Sequence, residues 1–133
     1  MNDLSDDNRT STVERGDACG SSPKAKKAAD IALGLMGACG LSSNDFAEAV
    51  SWQKGGTALI GRDAIFDAVK RAEVDIRIDE IVTHGKAAAV SGQVRRKGQP
   101  AALFCHMIRF TSASAKQVAS VISFEHPVKE RKI

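Results

Sequence analysis

The chain has no tyrosine, one tryptophan and five phenylalanines among its 133 residues, so aromatic surfaces on which bases could stack are scarce. No nucleic-acid-binding motif occurs, and a net charge of +3 is ordinary surface solvation. Nucleic acid is therefore not an expected partner. The three cysteines, Cys19, Cys39 and Cys105, form no C-x-x-C pair and have no histidine at metal-ligand spacing. That argues against a disulfide framework or a metal site and fits a reducing cytoplasm. A basic leader with an apolar segment after it is missing, as is any run long enough to span a bilayer, so no membrane partner is expected. No G-x-S-x-G elbow is present. The base nearest Cys105 in sequence is the adjacent His106, and neighbours on a strand point to opposite faces, so they make no dyad. The glycines at Gly56 and Gly61 have the spacing of a phosphate loop, but Arg62-Asp63 stands where Lys and Ser or Thr are needed. A hairpin turn and a helix start explain them, and no cofactor is expected.

What is present reads as an α+β domain. Met1–Ser22 is rich in Ser, Thr, Asp, Asn and Gly with almost no large apolar residue, which predicts a disordered tail over 1–22. Ser22-Pro23 is a helix start, with Ser as the N-cap and Pro at the first helical position. Ala28, Ala32, Leu35 and Met36 continue at helical spacing, and Gly40 is the expected terminator. A short second helix is expected over Asp45–Ala49 and a short strand at Val50-Ser51-Trp52. Gly55-Gly56 gives a turn, Thr57–Ile60 a returning segment, and Arg62–Ala72 a third helix burying Ile65, Ala68, Val69 and Ala72. Then Val74, Ile76 and Ile78 alternate with Asp75, Arg77 and Asp79 as in a half-buried strand, with a bulge or a strand end near Glu80 where Ile81 and Val82 adjoin. Ala87–Arg96, Ala101–Thr111 and Gln117–Phe124 complete a meander, and the residues from 127 to 133 form a charged end.

Among the histidines, His84 sits in a polar turn beside Gly85-Lys86, and nothing points to His126. His106 differs, because the strand period puts Phe104, Ile108 and Phe110 on its face. A histidine among large apolar neighbours either hydrogen-bonds within a core or projects into a cavity. Val118, Ile122 and Phe124 on the next strand are its expected opposite wall. Ala87, Ala89 and Ser91 form a small-residue face suited to close sheet packing against a second copy.

The order of helix, Val50-Ser51-Trp52, Gly61-Arg62-Asp63-Ala64-Ile65 and four strands resembles the NTF2-like superfamily, and within it the bacterial SnoaL-like proteins. His84-Gly85-Lys86 and Phe104-Cys105-His106 with Phe110 add to the likeness, which covers about Lys24–Glu125 and makes 23–126 the domain. The resemblance implies a cystatin-like cone, with N-terminal helices packed on a curved antiparallel sheet and a pocket at the open end. It also implies a pocket lined by Trp52, Phe104, His106, Ile108, Phe110, Val118, Ile122 and Phe124, with His106 as the catalytic candidate. Against the ketosteroid isomerase pattern, Trp52 falls where the carboxylate base stands and His106 where a protonated acid stands, while the tyrosine has no counterpart. The expectation is binding of a small apolar or amphipathic molecule, with isomerase, cyclase or lyase proton transfer at His106. The other expectation is a non-catalytic interaction module that pairs as a homodimer through the convex sheet face.

Overall fold

The computed structural model describes residues 11–128. In chain order it contains β1 (Thr12–Ala18), α1 (Pro23–Leu35), a 3-10 turn (Ser43–Asp45), β2 (Phe46–Lys54), β3 (Thr57–Ile60), α2 (Arg62–Ala68), β4 (Val74–His84), β5 (Ala87–Arg96), β6 (Ala102–Phe110) and β7 (Val118–Pro127). The strands make one curved seven-stranded sheet in the order β1-β4-β5-β6-β7-β2-β3, with the two helices packed on it. β4 to β7 form the expected antiparallel meander. The sheet as a whole is mixed, because β1 runs parallel to β4 and β2 runs parallel to β7.

α1 begins as its residues dictate. The Ser22 hydroxyl accepts the Ala25 N–H at 3.0 Å, and Pro23 occupies the first turn. Its Ala28, Ala29, Ile31, Ala32 and Leu35 are buried against the inner face of the sheet. The helix ends at Gly37 rather than Gly40. Gly37 has φ 90°, its N–H reaches the Gly34 carbonyl at 3.0 Å, and the Ala38 N–H reaches Leu33 at 3.0 Å. This is a Schellman stop, which needs a residue free to enter the left-handed region.

Four further expectations change. Thr12–Ala18 is a strand where a tail was expected. All its side chains are exposed, so no hydrophobic period announces it. It is held by backbone pairing to β4, by the Ser11 hydroxyl donating to Ala72 O at 3.1 Å, and by the Cys19 thiol donating to Ile78 O at 3.4 Å. The rest of the expected tail, 1–10, and the charged end beyond Val128 lie outside the described residues. The helix expected over Asp45–Ala49 is instead the start of β2, because β7 offers a free edge and Phe46, Val50 and Trp52 bury on one side of it. α2 stops at Ala68, leaving Ala68 exposed, since Val69 is extended and the Ala72 N–H is drawn to the Gly37 carbonyl at 3.0 Å. Finally, β7 continues to Pro127, beyond the expected end at Phe124.

Near Glu80, where a bulge or a strand end is expected, the strand carries a bulge. Ile78 pairs with Gly92 and Glu80 with Ser91, leaving Asp79 as the extra residue. A side chain on Gly92 would collide with the Arg77 carbonyl oxygen, so the absence of a Cβ lets the two strands approach at this bend. Gly92→Ala is expected to cost about 1–3 kcal/mol. Gly56→Ala, with open space around it, should stay within about 0.5 kcal/mol of the parent. Urea unfolding midpoints measure both, and equal midpoints would show that Gly92 does not constrain the bend.

Candidate functional site

β6 alternates as its sequence requires, placing Phe104, His106, Ile108 and Phe110 on the buried face. β7 does not keep one phase. Phe110 pairs with Val118 and Arg109 with Ser120, so Ala119 is an extra residue and the alternation reverses after it. Val118 faces inward before the bulge, and Val121 and Ser123 face inward after it. Ser123 therefore stands directly opposite His106 in the ladder. From the other side β2 brings Trp52 beside Val121 and Lys54 beside Ser123.

Three buried polar side chains meet at this point. The Trp52 indole Nε1–H donates to Ser123 Oγ at 2.8 Å, and Ser123 Oγ lies 2.6 Å from His106 Nδ1. His106 and Ser123 are each 2 % exposed and Trp52 is 5 % exposed. Nδ1 is the one acceptor within reach of the serine proton among the described residues, so the serine is assigned as donor to it. That network assigns the remaining imidazole proton to Nε2. Nε2 is buried and has no hydrogen-bond partner among the described residues. A buried donor without an acceptor is costly, about 1–3 kcal/mol, so it marks a place to look for a ligand.

Burial keeps this imidazole neutral. Its pKa is lowered from 6.5 to about 4, first by burial, against the raising effect of Glu125, with Lys54 and Arg96 adding to the lowering. Arg96 grips Glu125 with two parallel bonds of 2.8 and 2.7 Å. Burial acts to raise the Glu125 carboxyl, but those bonds and the Arg96 charge outweigh it and hold the group below its ordinary value. Lys54 places its Nζ 5.7 Å from the centre of the Trp52 ring and has no ion-pair partner among the described residues. A cleft of about 420 Å³ opens beside these groups, lined by residues 53–55 and 122–125.

No protein-family model and no curated protein matches the sequence. Solved structures do match by shape. A candidate ketosteroid isomerase from Kribbella flavida superposes with a TM-score of 0.55 at 17% identity, over 68% of this chain and 67% of that one. An NTF2-like protein from Cytophaga hutchinsonii superposes with a TM-score of 0.53 at 7% identity, over 64% of this chain and 72% of that one. The fold is NTF2-like. A chain from a yeast deubiquitinase–cofactor complex also matches, with a TM-score of 0.52 at 15% identity over 68% of this chain and 82% of that one. Likenesses this distant establish the architecture and leave the chemistry to the residues.

On this NTF2-like frame the expected lining divides. Trp52 and His106 meet through Ser123, while Phe104, Ile108, Phe110 and Val118 are packed in the hydrophobic core. Ile122 and Phe124 lie on the opposite face, 37 % and 56 % exposed, because the Ala119 bulge turns them outward. They are thus not the inner wall opposite His106, although both border the cleft. Ser123, Lys54, Arg96 and Glu125 escaped the sequence reading. The adjacency of Val121 and Ile122 was the available signal for the bulge, the same signal that Ile81-Val82 gives in β4. His84 and His126 are exposed. Among the described residues no group of three His, Cys, Asp or Glu side chains could hold a metal ion, and no helix is long and apolar enough to cross a membrane.

The neutral imidazole ties stability to pH. The unfolded chain takes up this proton as pH falls through 6.5, whereas the folded protein does so only near 4. The unfolded state binds more protons between those values, so stability is full above pH 6.5 and falls as pH drops toward 4. The loss from this one group is about 3 kcal/mol. His106→Leu should flatten that part of the profile, measured by urea unfolding from pH 7 to 4.5. Parallel profiles for the two proteins would rule out a buried neutral His106.

Proposed function

We propose that this protein binds a small, largely apolar molecule bearing a polar group, at the cleft beside the His106–Ser123–Trp52 cluster. The observation that carries the reading is the buried, unpartnered Nε2 of His106. A cleft of about 420 Å³ falls within the range of small-molecule sites, about 300–1,000 Å³, and joins apolar Ile122 and Phe124 to a few polar groups. Nε2 is closed to solvent, so binding requires the side chains of the cleft wall to shift. A ligand oxygen accepting the Nε2 proton would then relieve the unpaired donor.

The same chemistry favours recognition over proton transfer. A group with a pKa of about 4 is protonated in only about one molecule in a thousand at pH 7, and its conjugate base is weak. A neutral imidazole can still act as a hydrogen-bond donor to a carbonyl or developing oxyanion. Isomerase, cyclase or lyase work would need a separate base, and Trp52 stands where the ketosteroid isomerase pattern has one. A thermal-shift screen of small ketones, phenols and carboxylic acids against the parent and His106→Asn tests the reading. Compounds that stabilise the parent should lose most of their shift in the variant. Shifts of equal size would remove His106 from recognition.

A second reading rests on the convex face. Val82, Ala89, Met107 and Ile122 form one row across β4 to β7, and Leu103 and Phe124 flank it. Val82, Leu103, Met107 and Phe124 are each about half exposed, an apolar concentration that a second copy of this chain could cover in a homodimer. Both readings use Ile122 and Phe124, so they compete for the same side chains. Sedimentation of the parent should give a dimer, and Met107→Lys a monomer with unchanged circular dichroism. A monomeric parent at high micromolar concentration would dismiss this reading.

A further inference from the structure

Building on the small-molecule reading above, we infer that the ligand is an amphipathic anion, a carboxylate with a short apolar tail, whose charge is taken by Lys54. Among the described residues, Lys54 is the one cationic side chain lining the cleft, and Glu125 is the one carboxylate lining it. The two are not equivalent. Both oxygens of Glu125 are engaged by Arg96 at 2.8 and 2.7 Å, so its charge is already answered. The ammonium of Lys54 has no carboxylate partner among the described residues and rests against the Trp52 ring. Two cations therefore surround a single carboxylate, and the surplus positive charge sits at the cleft on a flexible, multidirectional donor.

The other side of the cleft supplies what an anion alone would not need. Phe124 is 56 % exposed and Ile122 37 % exposed, and both line the same cleft as Lys54. A headgroup on Lys54 with a hydrocarbon tail along Ile122 and Phe124 satisfies both halves. A cationic ligand would meet Lys54 and an already neutralised Glu125, and a neutral one would leave the ammonium unanswered.

The test compares three probes of one length, octanoate, octan-1-ol and octylamine, by calorimetry and by emission of Trp52, the sole tryptophan. Octanoate should bind the parent about tenfold more tightly than octanol, with a preference that shrinks as salt is raised. Lys54→Met should erase the preference by weakening octanoate, and Lys54→Arg should retain it. Equal binding of octanoate and octanol, or an octanoate preference untouched by Lys54→Met, overturns the inference and leaves a small-molecule site standing. Absence of binding by all three probes overturns the inference too, and the His106 screen then decides the broader reading separately.

Discussion

One extra residue in β7 decides what the two faces of this protein are. Without the bulge at Ala119, the strand would keep the phase set by Val118 and carry Ile122 and Phe124 into the interior. With it, Val121 and Ser123 turn inward instead. The serine then completes a hydrogen-bonded link between Trp52 on β2 and His106 on β6. The displaced apolar side chains are placed outside, where they border the cleft and populate the convex face. A one-residue slip on a strand exchanges the whole set of inner and outer side chains, which is why so small an insertion has such reach.

The polar cluster also shows how burial sets chemistry. His106 is isolated from water, and that burial outweighs the opposing pull of Glu125, so it stays uncharged. An uncharged imidazole fixed by Ser123 has one defined donor. Leaving that donor unpaired costs stability, as sites shaped for an incoming group commonly do. Arg96 and Glu125 meanwhile cancel each other at close range, so the electrostatic character of the cleft is left to Lys54.

Much of this was legible in the sequence wherever side-chain burial follows a simple period. The α1 start at Ser22-Pro23, the inward face of β6 and the β4 bulge are each set by local chemistry and were read from it. β1 could not be read that way, because its stability comes from backbone pairing with a strand sixty residues away in sequence and none of its side chains is buried. The opening of β2 reads as a helix over Asp45–Ala49 for a related reason, since the free edge of β7 overrides the local pattern. Of the cluster, His106 and Trp52 stood out as large, unusual residues in apolar surroundings. Ser123, Lys54, Arg96 and Glu125 look like ordinary polar positions until the register brings them together.

β1 contributes no buried apolar side chain, yet it covers the edge of β4 with a row of backbone bonds. An uncovered edge of that length would invite pairing with any extended chain in the cell. Protection of that edge thus depends on a segment that adds almost nothing to the core. Substitutions there could be silent in a folded-state energy count and still decide whether the protein remains in solution.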